Sequence, residues 1–152
     1  MIIIQKLIKE VGKEFRKYFG REYSLVESYK LEDAEFAFVT TGAISTTIKE
    51  AINRLREKNR KVGLLRLRVY RPFPEEEIQK ALKNVKKVAV IDNNVAPGYG
   101  GILFPEVKAC LDDVIVSDFV VSLGGTYTGV KNFMEIYEIM KKYNKPKKYW
   151  LL

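Results

Sequence analysis

The chain has 152 residues, enough for one domain with a hydrophobic core, and its 47% hydrophobic and 30% charged residues are ordinary for a globular protein. It contains no histidine, the commonest general base and metal ligand near neutral pH, and its single cysteine, Cys110, excludes an intrachain disulfide and a cysteine-ligated zinc or iron–sulfur site. The formal net charge of +8 and the pI near 9.5 suit solvated basic helix faces, or attraction to an acidic, phosphate-bearing or nucleic-acid partner.

The first segment predicts an amphipathic helix that ends at Gly20. Lysines occupy one face, and apolar residues recur on the other at helical spacing, namely Ile4, Leu7, Ile8, Val11, Phe15 and Phe19. The charges interrupt the apolar run too early for a signal peptide or a membrane span, so we expect a cytoplasmic protein. Residues 1–22 are predicted to be a helical appendage.

Residues 23–143 alternate between strands and helices. Predicted strands cover residues 24–31, 36–40, 62–70, 88–92 and 114–123, and the first of them, mixed in polarity, suits an edge. Ser45 is expected to cap the helix after residue 42, and Pro74 to lie just inside the start of the next one. We therefore predict a three-layer α/β/α fold with a mostly parallel sheet of about five strands and right-handed crossovers.

Two further segments in the last third of the chain are the helix that contains Cys110 and the C-terminal residues 144–152. Cys110 shares the apolar side of a predicted helix with Leu103, Val107 and Leu111, which indicates a core residue rather than a reactive thiol. Residues 144–152 are predicted to be a basic and aromatic tail. Tyr149 and Trp150 would anchor this tail on the domain or on a partner, because no nucleic-acid-binding motif accompanies them.

The loops that follow the strands are the candidate site, since ligands and partners of open α/β sheets gather at the carboxyl ends of strands. The candidate residues for subunit contact or ligand binding are Thr41, Gly42, Arg71, Pro72, Phe73, Asn93, Gly98, Gly100, Gly101, Gly124 and Gly125. The hydroxyls of residues 40–47 have no histidine or paired carboxylate nearby in the sequence, so we predict no catalytic residue and no metal site.

Two of these loops allow two interpretations each. Gly98, Gly100 and Gly101 precede a helix, where their backbone N–H groups could approach a phosphate, or where glycine simply permits a tight turn and close packing. The stiff Arg71-Pro72-Phe73-Pro74 segment either presents Arg71 and Phe73 to another subunit or folds Phe73 into the core.

The order of these motifs resembles the second domain of the α subunit of pyruvate and related 2-oxoacid:ferredoxin (flavodoxin) oxidoreductases, a domain similar to the C-terminal domain of transketolase. The similarity extends over nearly the whole chain, through residues 19–23, 34–42, 61–74, 90–94, 98–101, 106–109 and 124–125. The family usually has an Asp-Arg pair where this chain has Asp92-Asn93, so any contact made by that arginine is lost here.

The resemblance implies a non-catalytic structural and subunit-contact domain within a complex that oxidatively decarboxylates a 2-oxoacid to an acyl-coenzyme A and reduces ferredoxin. Thiamine diphosphate, magnesium, iron–sulfur clusters and coenzyme A are implied for the parent complex, and none is expected on this chain. Other subunits are the expected partners, self-association is left open, and neither a membrane nor nucleic acid is expected. The alternative is a stand-alone module that binds a phosphate-bearing ligand such as coenzyme A at the glycine loop. A split subunit, a fragment and a stand-alone protein all stay open.

Overall fold

The computed structural model describes residues 2–151, and the predictions that touch residues 1 and 152 lie outside that range. In chain order the elements are α1 (Ile2–Phe19), β1 (Val26–Tyr29), β2 (Phe36–Thr41), α2 (Ile44–Glu57), β3 (Val62–Leu67), α3 (Glu75–Leu82), β4 (Lys87–Asp92), β5 (Val95–Ala96), β6 (Gly100–Gly101), α4 (Leu103–Ala109), β7 (Ile115–Val121), a 3₁₀ turn (Leu123–Gly125), α5 (Val130–Lys142) and β8 (Lys148–Leu151).

Six strands form the main sheet in the order β1-β3-β2-β4-β7-β8. All neighbouring pairs are parallel except β1 and β3, so the strand of mixed polarity is an antiparallel edge. The predicted α/β/α fold with a mostly parallel sheet and an N-terminal helix is confirmed. The short strands β5 and β6 pair with each other as a separate hairpin.

The strands are continuous apolar runs because both faces of the sheet are covered. Helices α2 and α5 pack on one face, around Phe38, Ile91 and Phe119. Helices α3 and α4 pack on the other, around Val39 and Val90. Successive side chains of each strand therefore enter opposite cores. Cys110 is buried at the end of α4, and burial raises the pKa of its thiol to about 11, as a core position requires.

One crossover departs from the expected handedness. The connections through α2, α3 and α4 have the same hand. The connection through α2 moves toward β1 and α2 covers one face of the sheet, whereas the connections through α3 and α4 move toward β8 and their helices cover the other face. The connection from β7 to β8 moves in the same direction as the one through α4, yet α5 packs on the opposite face. It therefore has the opposite hand. Helix α5 packs beside α2 over the aromatic core, and β8 is a short strand at the edge of the sheet.

Other local predictions are corrected by the structure. Strand β3 ends at Leu67 rather than at residue 70, because its pairing with both neighbours ends there: Leu67 pairs with Val26, the first residue of the antiparallel β1, and with Thr41, the last residue of the parallel β2. Ser45 is not the cap of α2. It lies inside the first turn, where its hydroxyl donates to the Gly42 carbonyl at 2.7 Å. Pro74 immediately precedes α3 instead of opening it.

The predicted tail is the largest of these differences. Residues 148–151 form β8 and pair with β7, so they belong to the sheet. The Tyr149 ring stacks on Phe119, with ring centroids 4.7 Å apart. The aromatic residues of this segment were expected to anchor it, and Tyr149 does so as part of a strand.

Candidate functional site

The loops after β2, β3 and β4 meet at the carboxyl edge of the sheet. They enclose a cleft of about 420 Å³, lined by Thr41, Gly42, Leu67, Arg68, Tyr70, Asp92, Asn94, Ile102 and Leu103. Two predicted site residues, Thr41 and Gly42, therefore lie beside the strand-end carboxylate Asp92. Parallel strands bring these loops together because all their carboxyl ends point to one edge.

Arg71 is held on this edge by a carboxylate far along the chain. Its guanidinium donates to both oxygens of Glu106, at 2.7 Å and 2.6 Å, and lies 4.2 Å from the centroid of the Tyr70 ring. The Tyr70 hydroxyl donates to the same carboxylate at 2.5 Å. The Arg71 hydrogen bonds lower the pKa of Glu106, whereas burial and Glu106 raise the pKa of Tyr70. The arginine is thus fixed in direction while its side chain stays 59% exposed.

Phe73 packs toward the interior, whereas Arg71 is exposed. Its ring packs edge-to-face with Tyr70, at 5.9 Å between centroids, and against the core between the sheet and α3 and α4. Pro72 is buried, and the Arg71–Pro72 peptide bond is cis. Arg71 therefore faces outward, as expected if this segment contacts a partner, whereas Phe73 packs inward, as expected if it folds into the core.

The glycine loop is a hairpin built over a buried carboxylate. Asp118, in the middle of β7, is inaccessible to solvent and accepts a hydrogen bond from the Gly101 N–H at 3.0 Å. A Cβ atom on Gly100 or Gly101 would lie 2.6 Å from one of the Asp118 oxygens. Glycine is required at both positions because the carboxylate leaves no room for a side chain.

The same contacts favour the packing interpretation of this loop over the phosphate interpretation. The Leu103 N–H, at the start of α4, donates to Asp92 at 2.8 Å, and the Gly101 N–H donates to Asp118. Two carboxylates thus occupy two of the backbone donors of this loop, and a phosphate would be repelled by their negative charge. The residues of the hairpin do not fit the phosphate group of coenzyme A or of thiamine diphosphate.

Asp118 is the most unusual ionisable group of this edge. Burial raises the pKa of its carboxyl, and the nearby Asp92 adds to the effect, while Gly101 and Lys148 oppose it. Within residues 2–151, one oxygen of Asp118 has no hydrogen-bond partner. The sequence contained a signal for this residue, because burying a carboxylate in an apolar strand costs free energy unless the carboxylate is paired or hydrogen-bonded.

The remaining predicted residues lie apart from the cleft. Gly124 and Gly125 adopt left-handed backbone angles in the exposed turn after β7, with φ of +62° and +82°. Asn93 is exposed, and its neighbour Asn94 donates from its backbone to Asp92 at 2.9 Å. Gly98 turns the tip of the hairpin.

The edge also carries residues that the sequence did not single out. Tyr99 and Ile102 are 64% and 45% exposed around the hairpin, and Tyr127 is 87% exposed beyond β7. In the described part of the chain no group of three or more His, Cys, Asp or Glu side chains could hold a metal ion. None of the described helices combines the length and the apolar character needed to cross a membrane.

Comparisons with known proteins agree with this architecture. The family model described as pyruvate:ferredoxin oxidoreductase core domain II matches residues 34–133. Pyruvate synthase subunit PorA of Methanothermobacter thermautotrophicus is 49% identical over 121 residues, which are 80% of this chain and 32% of PorA. Ketoisovalerate oxidoreductase subunit VorA of Pyrococcus horikoshii is 43% identical over 143 residues, which are 91% of this chain and 36% of VorA.

A solved structure shares the fold. The 2-oxoglutarate:ferredoxin oxidoreductase from Magnetococcus marinus superposes with a TM-score of 0.65 at 20% identity, covering 84% of this chain and 23% of that one. The chain spans about a third of the length of the curated relatives that it matches.

Proposed function

Because the chain belongs to the family of pyruvate:ferredoxin oxidoreductase core domain II, we propose that it is a non-catalytic structural domain that contacts other subunits of a 2-oxoacid:ferredoxin oxidoreductase. The complex would oxidatively decarboxylate pyruvate or a related 2-oxoacid to an acyl-coenzyme A in the cytoplasm. The observation that carries the proposal is the aromatic surface exposed beside the strand-end loops.

This strand-end surface consists of Arg71, Tyr99, Ile102 and Tyr127, together with the exposed turns at Gly42, Asn93, Gly98 and Gly124–Gly125. Tyrosine and arginine are enriched at the centres of protein interfaces, where large side chains with few rotatable bonds are desolvated. Arg71 is already ordered by Glu106, so little side-chain entropy is lost when a partner covers it. Pro72, Phe73, Gly100 and Gly101 would support this surface from below.

A second apolar surface supports the same role. Helix α1 docks on the domain through one side, where the Gln5 amide donates to the Phe73 carbonyl at 3.0 Å, Lys9 pairs with Glu77 and Gly12 touches the Tyr23 backbone. Leu7, Ile8, Val11 and Phe15 line a cleft between α1 and the domain. Much of the apolar surface of α1 is nevertheless uncovered, because Ile3, Ile4, Leu7, Val11 and Tyr18 are between 52% and 80% exposed. Apolar surface of this extent is typical of a site that another polypeptide covers.

Cofactor chemistry would come from the partners. Thiamine diphosphate, magnesium, the iron–sulfur clusters and coenzyme A would be held by other domains or subunits of the complex. The contribution of this chain would be to position those partners through its rigid strand-end loops. This division is supported by two internal hydrogen bonds, since the Gly101 N–H of the hairpin donates to Asp118 and the Leu103 N–H at the start of α4 donates to Asp92.

The test is an affinity capture of the tagged full chain from the extract of its own cells, with mass spectrometry of the captured proteins. We expect thiamine-binding and cluster-bearing subunits in a fixed ratio to the chain. Tyr127→Glu should abolish their recovery, whereas Tyr143→Glu, at an exposed tyrosine after α5, should leave it unchanged. Recovery of the chain without those subunits, or equal loss in both variants, would refute the proposed contact surface.

A further inference from the structure

The opposite edge of the sheet gathers the basic clusters that the sequence keeps apart. The residues before β2 and β3, the start of β4 and the end of α5 surround a cleft of about 320 Å³. Its lining includes five cationic side chains, those of Arg60, Lys61, Lys86, Lys87 and Lys141. A second cleft adjoins it and shares Arg60, adding Lys58, Lys131 and Lys142.

Most of the chain's charge excess is concentrated at this edge. Eight cationic and three anionic side chains line the two clefts, a surplus of five positive charges, while the whole chain carries +8. Helices α2 and α5 end here, and cations complement the negative end of a helix dipole. Each helix terminus amounts to only about half an elementary charge, so the surplus is well beyond what two helix ends require.

Some of these cations have structural partners and others do not. Lys61 and Lys86 both pair with Glu35, and the Lys87 ammonium donates to the carbonyls of Met140 and Tyr143 at 2.9 Å and 2.8 Å. Over residues 2–151, no side-chain hydrogen bond or ion pair is made by the cationic groups of Lys58, Arg60, Lys141 and Lys142. Of these four residues, Arg60 lines both clefts, Lys141 lines the first, and Lys58 and Lys142 line the second.

The uncharged lining residues complete a set of donors. Burial raises the pKa of Tyr137, against the opposing effect of Arg60, so the phenol keeps its proton and can donate it in a hydrogen bond. The aromatic residues of the lining are Phe36, which is buried, and Tyr137, which is half-buried and packs edge-to-face with Phe36 at 5.3 Å between ring centroids. Ammonium, guanidinium and phenol groups together select a ligand with several anionic oxygens, and the guanidinium fork matches phosphate.

We propose that the joined clefts at the amino edge of the sheet form a binding site for a small ligand that carries two or more phosphate groups. A concave cleft of this size suits a small molecule. An extended single strand of nucleic acid would instead need aromatic faces on which bases stack, and the cleft does not present them. The site is at the opposite edge from the strand-end surface, so it is independent of the proposed subunit contact.

The test is a calorimetric titration of the full chain with tripolyphosphate at physiological ionic strength. Saturable binding is expected, and Arg60→Ala with Lys141→Ala should weaken it at least about tenfold, since charge-assisted hydrogen bonds are lost. The matched control, Lys13→Ala with Lys17→Ala on α1, lowers the net charge by the same amount and should change affinity less than about twofold, because its charges are distant and screened.

Three results would overturn the proposal. One is a titration without saturable heat from tripolyphosphate. Another is equal weakening in the two double variants, which would show a general attraction to the basic chain. The third is tighter binding of a single-stranded oligonucleotide than of tripolyphosphate at the same salt concentration, which would make the edge a nucleic-acid surface. Circular dichroism of each variant verifies that folding is retained.

Discussion

The Asp118 carboxylate lies directly beneath Gly101 and accepts its backbone N–H at 3.0 Å, across 17 positions of the sequence. This contact joins strand β7 to the hairpin that precedes α4. It explains why positions 100 and 101 are glycines, and it uses the N–H of Gly101. The contact makes the glycine loop part of the architecture of the carboxyl edge.

The stability of the protein should depend on the ionisation of Asp118. Burial raises the pKa of this carboxyl above its ordinary value of 3.8, so the folded state binds the proton more tightly than the unfolded state does. The free energy of unfolding should therefore decrease as the pH rises from about 4 through the folded-state pKa. Asp118→Asn lacks this titration, so its stability relative to the parent chain should improve over the same range.

Urea denaturation at a series of pH values measures this difference. Asp33→Asn is the control of opposite sign, because the hydrogen bond from Arg56 lowers the pKa of Asp33. Its stability relative to the parent chain should worsen as the pH rises through the ordinary range of the carboxyl. A pH-independent difference for Asp118→Asn would mean that the carboxyl is not perturbed in the folded protein.

The pairing of Arg71 with Glu106 should be visible in the titration of the glutamate. The Arg71 hydrogen bonds hold the pKa of Glu106 below its ordinary 4.5, so the pair stabilises the fold above that pH and its contribution is lost as the pH falls below it. In Arg71→Met the pKa of Glu106 should rise. Carbon-13 NMR of the Glu106 carboxyl measures the shift. Arg54→Met, which breaks the separate Arg54–Glu50 pair, should leave the Glu106 titration unchanged.

Strand β8 should be anchored by the ring of Tyr149 and not by its hydroxyl. The ring stacks on Phe119, whereas the hydroxyl is buried and has no hydrogen-bond partner in the described range. Tyr149→Phe keeps the stack and removes the unsatisfied group, so it should stabilise the protein by about 1 kcal/mol. Tyr149→Ala should destabilise it by about 3 kcal/mol. Chemical denaturation compares the two, and destabilisation by the phenylalanine variant would show that the hydroxyl has a partner in solution.

The docking of α1 should depend on Gly12. A Cβ atom there would lie 1.7 Å from the Tyr23 carbonyl oxygen, so Gly12→Ala should lift the helix from the domain. Alanine favours an isolated helix by about 1 kcal/mol over glycine, so any loss must come from the clash. Hydrogen exchange should increase across residues 2–19 in this variant, with the sheet still protected. Lys13→Ala, at the exposed next position, should behave like the parent chain.

The local pattern of the sequence was enough to predict most elements of the fold. Apolar runs located the strands β2, β3, β4 and β7, and apolar periodicity located the helices α1, α2 and α5. Both signals depend on residues that are close together in the chain. The mixed polarity of residues 26–29 also identified the edge strand correctly. Strand β8 was missed because its short basic and aromatic segment becomes a strand only when the edge of β7 is available for pairing.

Only the tertiary structure decided what the candidate site consists of. Glu106 reaches Arg71 across 35 positions, Asp118 reaches Gly101 across 17, and the amino-edge clefts unite lysines of residues 58–61 with those of residues 141–142. These relationships depend on which strands are neighbours and on which face each helix crosses. A pattern of residues within one segment does not specify which distant side chain will pack on that segment. The sequence was therefore enough to locate the loops, whereas their contacts are determined by the tertiary structure.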